Sequence, residues 1–370
     1  MKGKIFSYGS VGWGIILLIV LPVFIFYSNC TKKSTQYEPR RGYCLYTHDT
    51  GGSDPTKWIY VISTETDSVV DSIYMDPYKW PGYLALSPDK RTLYVLVNIF
   101  DTTSHTFTST YYEIDTRTKA RKYIGPNSSI VISPDGRYLF QWEGEFRIFD
   151  ACTHQLIYSE STQFLPGCFD KKAPLAYGGS EKLGEMRVFN YISKRWVRSF
   201  TIHLRDGRIP LIRNYVLSSD CNILYILVTA SPYEYYFCVF DLTQDSLLVQ
   251  LGINSVGQLA IKPDGSIVYT TDPGGGGGCI VIEPPPTGKL GVFDTKTNTP
   301  LPSISLDVLG DSIHLPPLNP FFIKITPDGQ KAYLSICHDR ILVIDLVRNE
   351  PLKAIIFPDY INAAVSYMAL

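Results

Sequence analysis

Short apolar runs recur along the chain, and turn-forming residues cut them at repeated places. The clearest cut stands in "LSPDKRTLYVLV" (86–97), "ISPDGRYLFQW" (132–142), "IKPDGSIVYTT" (261–271) and "ITPDGQKAYLSI" (325–336). Proline presets φ for a turn, aspartate bonds back to the backbone, and glycine tolerates positive φ. Two worn copies, "CFDKKAPLAY" (168–177) and "LSSDCNILYILV" (217–228), fit between them. A second cut follows each, with the form apolar-x-apolar-Asp-Thr-x-Thr. Its copies are "IYVISTETDSVV" (59–70), "YYEIDTRTKA" (111–120), "FRIFDACTHQLIY" (146–158), "MRVFNYISKRWV" (186–197), "YFCVFDLTQDSLL" (236–248), "LGVFDTKTNTPL" (290–301) and "ILVIDLVRNEPL" (341–352). Each unit therefore predicts four short strands, A to D, with the first cut as the A–B turn and the second as the C–D turn.

The spacing of the C–D turns runs from about 35 to 53 residues, the range of four-stranded propeller blades. Seven C–D turns stand against six A–B turns. The first unit begins at a B strand, "GYCLYTH" (42–48), and the chain ends in an apolar strand, "INAAVSYMAL" (361–370). That last strand can supply the missing A strand and close a ring, which removes the open sheet edges of a linear array. The expectation is an all-β, seven-bladed β-propeller of four-stranded blades over residues 41–370. At 370 residues the chain exceeds the length at which single cores usually split, and a closed repeat ring is a common exception.

"SPDG" after strand A, an aromatic-rich strand B and the Asp-Thr-x-Thr turn resemble the YVTN-repeat seven-bladed β-propellers. These are often exported bacterial and archaeal proteins, related in fold to the methylamine dehydrogenase heavy chain and to cytochrome d1 domains. No copy spells the tetrapeptide; the nearest are "YVLVN" (94–98) and "YTTD" (269–272). The resemblance implies fold and export and says little about activity, because propellers host many unrelated functions.

The N-terminus follows a different pattern. Lys2 and Lys4 precede the apolar run "VGWGIILLIVLPVFIFY" (11–27), then "SNC" and two more lysines. A positive segment followed by an apolar one reads as an export signal. Cys30 stands where a bacterial lipoprotein signal places its lipidated cysteine, and the segment resembles such a signal, although Tyr27-Ser28-Asn29 replaces the usual Leu-Ala-Gly-type box. An uncleaved helical anchor and plain secretion are the other readings. Residues 1–29 are thus a signal peptide or membrane anchor, 30–40 a linker, and the remainder lies outside the cytoplasm in the cell envelope.

Net charge is −1 and charged residues make up 19% of the chain, so no basic footprint for nucleic acid exists. Seven of the eight cysteines follow Cys30. An export compartment permits disulfides, but the seven are odd in number and have no CxxC or zinc-type spacing. They read mostly as free thiols packed in strands, with Cys221 beside Cys168 or Cys238 as the pairs to inspect.

A–B and C–D turns share one face of a propeller; B–C and D–A loops share the other. The turns are short and stereotyped. The loops are long and unlike one another: "NIFDTTSHTFTST" (98–110), "HLRDGRIPLIRN" (203–214), "TASPYEYY" (229–236), "TDPGGGGGCIVIEPPPTGK" (271–289) and "LDVLGDSIHLPPLNP" (306–320). Long loops on a rigid scaffold are where function concentrates. The candidate ligand-binding residues are Trp80, which leads into a strand A; Arg205, Arg208 and Arg213, able to fork onto a carboxylate or phosphate; Tyr233 and Tyr235, able to stack on a sugar or peptide; and His338. Each has a plainer alternative: a packing tryptophan, a solvated loop with internal ion pairs, tyrosines of a strand. "PGGGGGC" lacks the Lys-Ser/Thr ending of a phosphate loop and reads as a linker. No catalytic residue, metal set or cofactor is expected. The pattern points to a module that binds protein, peptide or glycan, with a lactonase-like hydrolase or a cofactor-less subunit of a periplasmic dehydrogenase as the alternative. For the anchor, Cys30→Ser is expected to abolish incorporation of radiolabelled palmitate; unchanged incorporation would reject lipidation at this residue.

Overall fold

The computed structural model describes residues 44–49, 58–76, 79–101, 103–104, 106–126, 129–142, 144–179, 184–231, 234–254, 257–271, 288–306, 320–336, 340–357 and 365–369. Their regular structure is entirely β. Sheet 1 holds β1 (Cys44–Asp49), β2 (Trp58–Ser63) and β3 (Ser68–Tyr74). Sheet 2 holds β4 (Lys79–Leu86), β5 (Thr92–Asp101), β6 (Thr106–Asp115) and β7 (Arg121–Pro126). Sheet 3 holds β8 (Ser129–Ile132), β9 (Tyr138–Trp142), β10 (Phe146–Asp150) and β11 (Leu156–Glu160). Sheet 4 holds β12 (Pro166–Phe169), β13 (Leu175–Gly179), β14 (Glu185–Asn190) and β15 (Arg195–Thr201). Sheet 5 holds β16 (Leu211–Leu217), β17 (Ile223–Ser231), β18 (Glu234–Asp241) and β19 (Ser246–Ile253). Sheet 6 holds β20 (Leu259–Ile261), β21 (Ile267–Thr271), β22 (Lys289–Asp294) and β23 (Thr299–Ser305). Sheet 7 holds β24 (Pro320–Ile325), β25 (Lys331–Ile336), β26 (Arg340–Asp345) and β27 (Glu350–Ile356). The last strand, β28 (Val365–Ala369), joins sheet 1 along the inner edge of β1, so all seven sheets have four strands in the order A-B-C-D. Every described pairing is antiparallel, and β28 meets β1 at Tyr46↔Ala369, Thr47↔Met368 and His48↔Tyr367. The chain is a β-propeller with four-stranded blades.

Both turn motifs work as their composition requires. In the A–B turns, the hydroxyls of Ser87, Ser133, Ser218 and Thr326 donate to Asp89, Asp135, Asp220 and Asp328 at 2.5–2.6 Å. The same four hydroxyls accept the amide that opens strand B at 2.9–3.0 Å. Gly136, Gly265 and Gly329 take φ of 70–76° at the end of the turn, where Lys90 and Cys221 stand in the other copies at φ 60° and 64°. In the C–D turns, Asp115, Asp150, Asn190, Asp241, Asp294 and Asp345 each accept two successive backbone amides through Oδ1. Ser63 does the same through Oγ in the first unit.

The core is divided among the seams between sheets. Separate clusters join sheets 1 and 2 around Ile59 and Leu93, 2 and 3 around Tyr111 and Ile130, and 3 and 4 around Phe146 and Phe189. Others join 4 and 5 around Met186 and Ile226, 5 and 6 around Phe237 and Phe293, and 6 and 7 around Leu290 and Leu334. A seventh joins 7 back to 1 through Tyr60, Ile62, Tyr333 and Val343. Fully burying one such side chain contributes roughly 1.5–3 kcal/mol. Between sheets 4 and 5 the fit is close enough to dictate composition: a Cβ at Gly167 would fall 2.5 Å from the Tyr215 ring.

A second set of links has no signature in the sequence. The residue that ends each C–D turn has positive φ: Asp67, Lys119, His154, Lys194, Asp245, Asn298 and Asn349, at 48–59°. Six of the seven side chains reach back to the preceding sheet. Lys119 donates to Asp71 at 2.6 Å, His154 faces Glu113 at 3.5 Å, and Lys194 lies 4.2 Å from the Tyr138 ring centroid. Asp245 pairs with Arg198 at 3.0 Å, and Asn349 accepts from Tyr269 at 3.5 Å. Asp67 spans the seam between the ends of the chain: it accepts Lys331 Nζ at 2.7 Å and a short bond from the Tyr333 hydroxyl. Asp67 and Tyr333 are both buried. Asp67→Asn keeps a residue suited to the left-handed turn and removes the charge that Lys331 and Tyr333 face. It is expected to lower stability by about 1–3 kcal/mol, and to couple with Tyr333→Phe by at least about 0.5 kcal/mol in a double-mutant cycle of denaturant melts. Strictly additive effects would show that the seam does not depend on this bond.

Candidate functional site

The turn face and the loop face differ in what their polar groups are doing. On the turn face the carboxylates serve their own turns. Hydrogen bonds from the Thr243 hydroxyl to Asp241, from the Ser266 hydroxyl to Asp264 and from the Arg348 amide to Asp345 hold these carboxyls below the ordinary aspartate range. On the loop face, the connection after β15 passes Ile202 and Leu204, both buried, and then exposes Arg205 through Ile209 before β16 begins.

The three arginines proposed as a clamp do not converge. Arg208 Nε donates to Asp206 Oδ2 at 2.7 Å, and its guanidinium makes a short bond to Glu234. These hydrogen bonds, Asp206 first, raise the Arg208 pKa and lower that of Asp206. Arg205 turns outward: its amide donates to Gln250 Oε1 at 2.8 Å and its guanidinium to the Leu248 carbonyl at 3.4 Å, both on the outermost strand β19. Arg213 lies on the innermost strand β16, where its Nε donates to Thr229 Oγ1 at 3.2 Å. Two of the three thus follow the plainer alternative, Arg208 in a solvated ion-pair network and Arg205 at the rim. Arg213 and Tyr235 do share one place, because Thr229 stands directly opposite Tyr235 in the β17–β18 pairing. Trp80 lies in β4 opposite Asn98, but its side chain, like Tyr233 and His338 as a whole, lies outside the described residues.

Two further ion pairs mark the loop ends of sheets 3 and 4. Arg147 meets Glu145 at 2.9 Å, and Arg187 meets Glu185 at 2.8 Å. Arg187 also donates to Thr162 at 2.6 Å in the connection between the two sheets. The shared spelling "GEFRIFD" and "GEMRVFN" was visible in the sequence, since residues two apart on a strand face the same way. Among the described residues no group of three or more His, Cys, Asp or Glu is placed to hold a metal ion. Cys168, Cys221 and Cys238 are free thiols, and burial pushes all three pKa values up. Cys152 is disulfide-bonded, an exception to the reading of free cysteines.

Among known proteins, no family model matches the chain and no curated protein matches it. Solved structures do match. One is the Kuenenia stuttgartiensis hydrazine synthase, at 18% identity and a TM-score of 0.55, over 72% of this chain and 76% of that one. At that identity the likeness shows the fold alone.

Asp241, Asp264 and Asp345 set a pH dependence. Their folded pKa values lie below the unfolded value of about 3.9, so the stability they contribute is fully present above that pH and is lost as pH falls through it toward the folded values. Asp264→Asn with Asp345→Asn is expected to flatten the fall in melting temperature between pH 5 and 3. An unchanged slope would mean that these turns do not carry it.

Proposed function

We propose that this chain is an exported, lipid-anchored β-propeller of the cell envelope. In this reading the seven sheets close as one seven-bladed ring of the YVTN-repeat type, and the ring recognises a protein, peptide or glycan through its loop-bearing face. The observation that carries this reading is the asymmetry between the faces. Each turn carboxylate named above is engaged by its own turn, which explains the repeated motif without a ligand. The long, dissimilar loops have no such explanation, and the described part of one, Arg205–Ile209, exposes three charged side chains. The alternatives, a lactonase-like hydrolase or a dehydrogenase subunit, ask for ionisable groups converging on the mouth. In the described residues the loop arginines instead go to ion pairs, to the rim and to Thr229. The lipid anchor rests on Cys30 and on the apolar segment before it, which lie outside the described residues. Among the described residues no helix is long and apolar enough to cross a membrane.

The test is affinity capture from an envelope extract, with thermal melting measured on the same variants. Arg213→Ala with Tyr235→Ala is expected to reduce capture with little change in melting, since exposed or half-exposed substitutions usually cost about 0.5 kcal/mol or less. Asp264→Ala with Asp328→Ala is expected to lower the melting temperature and spare capture. The opposite outcome would place binding on the turn face.

A further inference from the structure

The innermost strands form the wall of the propeller's central channel. None of the seven, β4, β8, β12, β16, β20, β24 and β28, contains an aspartate or glutamate. They contain three cations: Lys79, Arg213 and Lys324. Lys79 is neutralised by Asp76 at 3.1 Å. The other two have no carboxylate partner among the described residues. The ring alignment singles out Lys324. Two residues before each A–B turn residue, the sheets place Ala85, Val131, Cys168, Val216, Ala260 and Lys324. The first five are half-buried and small or apolar, whereas Lys324 is exposed.

Lys324 is exposed although it stands on an innermost strand, so its side chain opens onto the central channel. Desolvation lowers the pKa of its amine. Arg213 stands five residues before its A–B turn residue Ser218, and Lys324 stands two before Thr326. The two cations therefore differ in depth by three residue steps, roughly 10 Å along the strands, with Arg213 nearer the loop-side mouth. Low-dielectric walls that carry charge of one sign focus the field between them.

We infer that the central channel binds a small organic or inorganic oxyanion, a carboxylate or a phosphate, with Lys324 as its inner anchor and Arg213 at its entrance. An ammonium supplies a point charge and a guanidinium a fork, and both suit oxyanions. The inference rests on the binding-module reading and names a ligand chemistry for it.

The experiment is isothermal titration of the full chain in detergent with citrate and, separately, with inorganic phosphate, at constant ionic strength balanced with chloride. Saturable binding of at least one probe is expected, and the stronger of the two identifies the anion type. Lys324→Ala is expected to weaken it at least tenfold at an unchanged melting temperature, while Lys324→Arg stays within about threefold of wild type. Absence of saturable binding for both probes, or a Lys324→Ala protein that binds like wild type, overturns the inference. If Lys324→Ala fails to fold, acetylation of the wild-type protein followed by peptide mass spectrometry decides: Lys324 must be modified in chloride and protected by the bound anion. Unmodified Lys324, or modification that the anion does not slow, also overturns it. The envelope-capture assay is independent, so loss of capture with intact anion binding rejects the module reading, and the converse rejects the channel site alone.

Discussion

The structure depends on one pairing between the two ends of the repeat array. β28 completes sheet 1 by bonding to β1, so the first sheet has four strands like the other six. Without it the inner edge of β1 would carry unpaired backbone donors and acceptors, the usual liability of an open sheet array. The same closure places sheet 7 against sheet 1, where Tyr60, Ile62, Tyr333 and Val343 form a core of the kind found at every other seam. Each sheet can then bury both of its faces.

Polar links reinforce these seams in a repeated way. Each left-handed turn residue projects from the end of a C–D turn; in five cases its side chain reaches the preceding sheet by an ion pair, a hydrogen bond or a cation–π contact, and in a sixth His154 faces Glu113. The link at the closing seam is the most buried, since Asp67 takes both the Lys331 ammonium and the Tyr333 hydroxyl. The turn face is thereby committed to holding the ring together. The loop face, freed from that task, is where length and composition vary from sheet to sheet.

How much of this was legible follows from range. The Ser-Pro-Asp-Gly and Asp-Thr-x-Thr motifs could be read because their hydrogen bonds close within five residues, and the tail could be read because a missing strand A had to come from somewhere. The left-handed turn residues could not be paired from sequence: Lys119 reaches Asp71 and Asp67 reaches Lys331 only once neighbouring sheets are placed. Adjacency in sequence left a clamp and a solvated loop with internal ion pairs both open for the three arginines, because it does not fix where each side chain goes. The partner of Arg208 is Glu234, and Arg205 and Arg213 leave the loop toward opposite edges of sheet 5. Lys324 was hidden inside "PFFIKI", an apolar strand like any other until the rings of equivalent positions are compared.

Closure by the C-terminal strand is tested most directly by native-state amide hydrogen exchange, resolved by peptide, across the whole chain. If the tail closes sheet 1, amides of Val365–Ala369 paired to β1 exchange as slowly as those of other innermost strands, such as Leu211–Leu217, and open with them in the same cooperative unit. Exchange of the tail at the rate of an unstructured peptide, with the other innermost strands still protected, would contradict it.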